Sequence, residues 1–199
     1  MKSLKSLALV VSGLVVFAAG CAQRPELELN AAQEAVKNAV SAEAGVYAPD
    51  ELKAAEDLMS SAAAELSAQD EAFALSRDFD QAKKLLADAE AKGTAAAEAA
   101  RANKEQVKLE CEELKLAAEA AIATATEMLA KAPKGKGTKA DIEALQGDLS
   151  GLGTALTAAS ASYDAGQYMT ARDELRSVVT KAEAISAEIE TAILKRGRR

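Results

Sequence analysis

The 199-residue chain contains no histidine and no tryptophan, only two cysteines, and 3% aromatic residues. Without histidine, the commonest metal ligand and the Ser-His and Cys-His pairs of nucleophilic catalysis are missing. Aromatic and β-branched residues, which favour strands, are scarce and scattered. These scarcities disfavour an enzyme, a metal or cofactor site, and a β fold.

Alanine is abundant instead, with 49 residues, and Glu, Lys, Leu and Gln supply further good helix formers. We therefore predict an all-α protein, an elongated bundle of about five helices with coiled-coil-like hairpins. Alanine-rich faces let helices approach closely but bury little area each. We expect no concave pocket above about 300 Å³, the lower end for small-molecule sites.

The formal charge of −7 disfavours a nucleic-acid binder. Lys2 and Lys5 lie in an N-terminal segment that is typical of a secretory signal, followed by an apolar run from Leu7 to Val16. The uncharged run from Ser6 to Ala22 has 17 residues, fewer than the roughly 20 that span a bilayer as a helix. We predict a removed signal peptide over residues 1–20, with an uncleaved anchor as the alternative.

The sequence Ala18-Ala19-Gly20-Cys21 resembles the lipobox of bacterial lipoproteins, although Ala18 stands where that family usually has leucine. The resemblance implies cleavage before Cys21 and acylation of this cysteine. Three acyl chains would anchor the chain stably to a membrane. By resemblance to the sorting rule of enteric bacteria, Ala22 rather than aspartate implies the periplasmic face of the outer membrane, with the inner membrane as the alternative.

Two short helices are predicted next. The first follows Pro25 and ends at Gly45, with an apolar face spaced by three and four residues: Leu29, Ala32, Val36 and Ala39. The second begins at Pro49, with Asp50 and Glu51 in its first turn, where the helix dipole favours acids. Its apolar face consists of Leu52, Ala55, Met59, Ala62 and Leu66.

The same region carries Gly45, Tyr47-Ala48-Pro49-Asp50-Glu51-Leu52 and later Phe79-x-x-Ala82 before a Lys- and Ala-rich helix. Over roughly residues 28 to 105 this pattern resembles the bacterial envelope lipoproteins grouped as domain of unknown function 4398. The resemblance implies an envelope location and no reaction. Members often continue into a peptidoglycan-binding module, whereas here the second half is predicted to be helical.

From Phe79 to about Lys131 only Gly93 interrupts a helical pattern, which leaves open whether the helix bends there. Unbroken, it would extend roughly 80 Å. A coiled-coil seam with alternating spacings of four and three is formed by Val107, Cys111, Leu114, Ala118, Ala121, Ala125 and Met128.

Residues 133–138 are predicted to be a linker that separates a helical region, 21–132, from an antiparallel helical hairpin with a basic tail, 139–199. Thr138 with Asp141 resembles a capping box, and residues 164–167 make the hairpin turn. The first helix uses Ile142, Leu145, Leu149, Leu152, Leu156, Ala159 and Tyr163. The second uses Tyr168, Ala171, Leu175, Val178, Ala182, Ile185, Ile189 and Ala192.

Cys111 is the single thiol left once Cys21 is acylated. It is either a small buried packing residue, which we favour, or the site of an intermolecular disulfide in a parallel dimer. Gly147, Gly151 and Gly153 follow no predicted strand, so they are not a phosphate loop. We expect them to allow close helix approach.

Eight basic residues are predicted to share one end of the protein, far from the membrane: Lys131, Lys134, Lys136, Lys139, Lys195, Arg196, Arg198 and Arg199. Cations at helix C-termini complement the helix dipole, which is the simpler interpretation. The alternative is a pole that binds an anionic partner such as peptidoglycan carboxylates.

The leading functional hypothesis is a lipid-anchored, non-enzymatic helical protein with a structural or spacer role in the envelope. The alternative is an accessory or adaptor subunit that docks on an envelope export or assembly complex. The oligomeric state is left open. An exposed leucine or isoleucine stripe after folding would favour docking, and fully buried stripes would favour a spacer.

Overall fold

A computed structural model describes residues 23–132 and 139–197, with only the backbone of Lys139 and of residues 195–197. Six α-helices and one 3₁₀ turn follow one another: α1 Glu26–Ser41, α2 Ala44–Tyr47, α3 Pro49–Glu71, the turn Ala74–Ser76, α4 Asp80–Lys131, α5 Lys139–Asp164 and α6 Tyr168–Gly197. The described residues contain no strand, so the all-α prediction is confirmed. None of the described helices is long and apolar enough to cross a membrane.

The chain forms two compact units, one through Ala99 and one from Ala100. This boundary falls inside α4, because α4 contributes its first half to one apolar core and its second half to another. The linker predicted at residues 133–138 lies outside the described residues and stays a prediction.

Unit 1 packs α1, α3 and the first half of α4 around a core of small and medium side chains. The buried members of this core are Ala32, Ala62, Leu66, Phe79, Ala82, Leu86 and Ala89. The apolar faces predicted for the first two helices are buried or half-buried throughout. Pro49 stands at the first turn of α3 with Asp50 and Glu51, as predicted.

The predicted end of the first helix at Gly45 is wrong. Helix α1 ends at Ser41, and Glu43 adopts the left-handed conformation with φ 62°. The chain then forms the four-residue helix α2, which contains Gly45 and buries Ala44 and Tyr47. A residue other than glycine thus supplies the reversal of backbone direction, which residue type alone does not indicate.

Helix α4 is continuous through Gly93. A Cβ built on Gly93 would lie 2.9 Å from both the carbonyl carbon of Ala35 and the amide nitrogen of Val36. The missing side chain therefore lets the backbone of α1 lie directly against α4. Gly93 marks a close helix contact rather than a break.

Unit 2 packs the second half of α4 against the α5–α6 hairpin. Its buried core consists of Ala118, Ala125, Leu129, Leu149, Leu152, Val178, Ala182, Ile185 and Ile189. Every member of the predicted α4 seam is buried or half-buried. Gly166, with φ 77°, makes the hairpin turn within the predicted residues. Ala192 is exposed, however, and Ile193 packs against the core in its place.

Gly147, Gly151 and Gly153 lie in α5, but a Cβ built on any of them would meet nothing within 4 Å. The expectation that they allow close helix approach is wrong. They face outward, because the core side of α5 is taken by the larger residues Leu149 and Leu152.

Candidate functional site

The outer face of α4 in unit 2 carries a row of apolar side chains that the intramolecular core does not use. These residues recur at every seventh position, all are exposed, and we call them the outer stripe: Ala102, Leu109, Leu116, Ala123 and Ala130. Leu109 is 59% exposed and Leu116 is 68% exposed. At about 100° per residue, Leu109 points about 160° away from Cys111 in the buried seam. The stripe therefore lies on the side of α4 opposite to α5 and α6.

Acidic side chains line both edges of the outer stripe, and all five are exposed: Glu105, Glu112, Glu113, Glu119 and Glu127. Two of them pair with lysines on the same helix, Lys108 at 3.9 Å and Lys131 at 3.6 Å. Pairs this exposed contribute little and remain open to exchange. The outer stripe is thus an apolar row with negative edges.

The outer stripe was not predicted from the sequence, because the strongest heptad pattern on α4 is the one that includes Cys111. The signal was present, since Leu109 and Leu116 are seven residues apart and Ala102 and Ala123 extend the same spacing. Two heptad rows on one helix predict two partners. Only the structure shows which row the chain covers itself.

Cys111 is 1% exposed and lies where α4 meets the start of α6. Its Sγ donates to the backbone carbonyl of Tyr168 at 3.3 Å. Burial, followed by the nearby Glu110 carboxylate, raises the pKa of the thiol. These features support the packing interpretation. A disulfide to a second copy would first require this sulfur to become accessible.

Tyrosines at the hairpin turn join the three helices of unit 2 around Cys111. The Tyr163 hydroxyl donates to Oε1 of Glu112 at 2.7 Å, which raises the pKa of Tyr163 to about 12. The rings of Tyr163 and Tyr168 are 5.2 Å apart between centroids, and Lys104 Nζ lies 5.9 Å from the Tyr168 ring. Arg176 of α6 also pairs with Glu110 of α4. The cluster fixes the hairpin to α4.

A groove of about 460 Å³ runs between α5 and α6. We expected no pocket above about 300 Å³. This expectation is wrong, because the groove is larger than that limit. Its lining is Leu152, Ala155, Ala158, Thr170, Asp173, Glu174, Ser177, Val178 and Lys181. Glu174 places a buried Oε2 here that has no hydrogen-bond partner among the described residues.

The remaining predicted sites lie largely outside the described residues. This holds for Cys21, Lys134, Lys136, Arg198 and Arg199 and for the side chains of Lys139, Lys195 and Arg196. Lys131 is exposed and pairs with Glu127. The core of unit 2 includes residues near the end of α4, the start of α5 and the end of α6: Leu129, Ile142, Ile189 and Ile193. The basic pole itself stays a prediction.

Within residues 23–132 and 139–197, no group of three or more His, Cys, Asp or Glu side chains could hold a metal ion. Comparisons of the chain with family models, with curated proteins and with solved structures found no match. The resemblances to the lipobox and to domain of unknown function 4398 thus stay predictions. Function has to be argued from the residues themselves.

Proposed function

We propose that the chain is a non-enzymatic, lipid-anchored helical protein of the bacterial envelope that docks a protein partner on α4. The observation that carries the docking role is the outer stripe, with Leu109 and Leu116 exposed. A spacer needs only buried stripes, whereas an exposed row of apolar side chains is typical of a surface that binds a partner. The adaptor hypothesis is therefore preferred to the spacer hypothesis.

The anchoring part of the proposal is supported by the N-terminal sequence. Its pattern resembles the one that lipoprotein signal peptidase recognises. The pattern consists of a positive start, an apolar run too short to span a bilayer, and small residues before Cys21. Acylation of Cys21 would hold the protein at the membrane surface without a membrane-spanning helix.

The partner's chemistry follows from the edges of the outer stripe. Apolar side chains flanked by carboxylates favour an amphipathic helix whose apolar residues are flanked by lysine or arginine. A second copy bound through the same stripe would instead bring carboxylates together. An antiparallel pair that matches Leu109 with Leu116 would oppose Glu112 with Glu113, and like-charged pairs are unfavourable.

Anchoring is tested by comparing the two cysteines of the chain. The wild-type chain and Cys111→Ser should incorporate labelled palmitate in a Gram-negative host, and Cys21→Ser should not. The mature N-terminus should be residue 21. Label retained in Cys21→Ser, or a different mature N-terminus, would rule out the lipid anchor.

Docking is tested by placing a photo-crosslinking amino acid at residue 116 and, as a control, at Gln146, an exposed residue of α5. Residue 116 should crosslink in cells to a helix that carries basic residues beside its apolar ones. Leu116→Glu should abolish the complex and leave the circular dichroism spectrum unchanged.

High salt should also weaken the complex, because the flanking charges are exposed to solvent. Equal crosslinking at residues 116 and 146 would contradict docking at the stripe and leave the spacer hypothesis. Crosslinks from residue 116 to another copy of this chain would contradict the choice of a basic partner.

A further inference from the structure

The most exposed large apolar side chains of the described residues are Leu27, Leu75 and Phe73, at 83%, 74% and 72%. Leu27 lies in the first turn of α1. Phe73 and Leu75 lie in the connection from Ala72 to Phe79, which we call the α3–α4 loop. Aromatic side chains are few in this chain, so a phenylalanine left in solvent calls for an explanation.

The α3–α4 loop is held in a defined conformation. The guanidinium of Arg77 donates to the backbone carbonyls of Asp70 at 2.8 Å and Ala72 at 3.1 Å. The backbone N–H of Asp78 donates to Oε1 of Gln69 at 2.9 Å. At the end of the loop Phe79 is buried in the unit 1 core. Phe73 and Leu75 are thus exposed in a loop whose conformation is stabilised by hydrogen bonds.

The chain enters unit 1 beside this loop. The Arg24 guanidinium pairs with the carboxylate of Asp70 at 3.5 Å and with that of Glu26 at 3.3 Å. Only two residues separate Arg24 from Cys21. At no more than about 3.6 Å per residue, a chain segment of this length spans at most about 11 Å, which limits how far an anchor at Cys21 can be from Arg24.

We infer that Phe73, Leu75 and Leu27 insert into the surface of the same membrane that holds the acyl chains of Cys21. The inference rests on the proposed lipid anchor. Apolar side chains on a surface element enter a bilayer by about 5–10 Å, at the boundary of headgroups and acyl chains. An anchor so close to Arg24 holds the α3–α4 loop within reach of that depth.

The charges around these side chains indicate how the contact works. Arg24 and Arg77 are outnumbered by acidic neighbours in sequence: Glu26, Glu28, Asp70, Glu71, Asp78 and Asp80. Attraction to anionic lipid headgroups therefore does not drive the membrane contact. Burial of the apolar side chains in the bilayer drives it instead. We expect the contact to persist on neutral phosphatidylcholine vesicles and at high salt.

The absence of tryptophan allows a direct test, because Phe73→Trp introduces a single indole fluorophore. The full chain, purified from membranes in detergent, is reconstituted into phosphatidylcholine vesicles with and without lipids brominated in their acyl chains. Val46→Trp is the matched control, since Val46 is 53% exposed on α2, beyond the other end of α1. Leu75→Trp repeats the measurement at a second position of the loop.

We expect the indole emission of Phe73→Trp and of Leu75→Trp to shift to shorter wavelength in vesicles and to lose intensity with brominated lipids. The emission of Val46→Trp should do neither. Quenching of the two loop variants no greater than that of the control, in chains that float with the vesicles, would overturn the inference and leave the anchor standing. Shielding from aqueous iodide without quenching by brominated lipid would also overturn it, because a protein would then cover the loop.

Flotation separates failure of the anchor from failure of the insertion. Wild-type chain should float with the vesicles, and Cys21→Ser should float much less. Loss of this difference would remove the proposed anchor, and the insertion with it. Circular dichroism of each tryptophan variant should match the wild type, because all three substituted side chains are exposed.

Discussion

Gly93 and Ala35 bring the backbones of α4 and α1 into contact, since a Cβ on Gly93 would lie 2.9 Å from the Ala35 carbonyl carbon. Real Cβ atoms do not approach a backbone carbon so closely. Ala32 and Ala39, near Ala35 on the same face of α1, are fully buried. In unit 1, small residues thus bring helices together where larger ones would hold them apart.

Gly93→Ala is expected to destabilise unit 1 by about 1–3 kcal/mol, because α1 must shift to admit the added methyl group. The higher helix propensity of alanine offsets up to about 1 kcal/mol of this cost, and the clash with backbone atoms of α1 keeps the sum unfavourable. Gly45→Ala is the control in the same unit, since a Cβ there would meet only Leu52 Cδ2 at 3.9 Å. Urea titrations followed by circular dichroism would measure both. An unchanged or higher midpoint for Gly93→Ala would contradict the close contact.

In the wild type the free energy of unfolding should fall at alkaline pH as Tyr163 titrates. Tyr163→Phe should lack this fall. The pKa of Tyr163 is about 12 in the folded chain and about 10 in an unfolded one. The hydrogen bond to Glu112 therefore contributes fully below about pH 10 and is lost as pH rises through about 12. The wild type should be more stable than the variant near neutral pH, and the difference should vanish as the hydroxyl of the folded chain titrates. A difference that does not depend on pH would contradict the role of the hydroxyl.

Cys111→Ser should change neither the oligomeric state nor the membrane fraction of the protein. Serine keeps a donor for the Tyr168 carbonyl and fits the buried site, so we expect a cost of about 1 kcal/mol. Non-reducing gels and size-exclusion chromatography would provide the measurement. A wild-type dimer that reducing agent and the substitution both abolish would show that the sulfur pairs between copies.

Glu174→Leu removes a buried carboxylate oxygen that has no partner among the described residues. We expect it to stabilise unit 2 by about 1 kcal/mol. The apolar side chain would instead pack in the groove near Leu152 and Val178. Glu183→Leu on the exposed side of α6 is the control and should have little effect. A stability loss in Glu174→Leu, with Glu183→Leu unchanged, would contradict the prediction.

Most of the helix bounds could be predicted from the sequence, because they depend on neighbours along the chain. Pro49 begins α3, Lys131 ends α4, and Tyr168 begins α6. The exception is at Glu43, where the left-handed conformation falls on a residue other than glycine, directly before the buried residues of α2. The candidate sites were less predictable, since the outer stripe and the buried seam of α4 share the same seven-residue period.

The sequence by itself determined the all-α class, the hairpin turn at Gly166 and most of the apolar faces, because helix propensity and periodicity act over a few residues. Tertiary structure decided which of two heptad rows on α4 became core and which remained exposed. It also decided that Gly93 marks a contact while Gly147 faces open space, although both are helical glycines. Such choices depend on which other helix lies opposite, and that neighbour comes from a distant part of the chain.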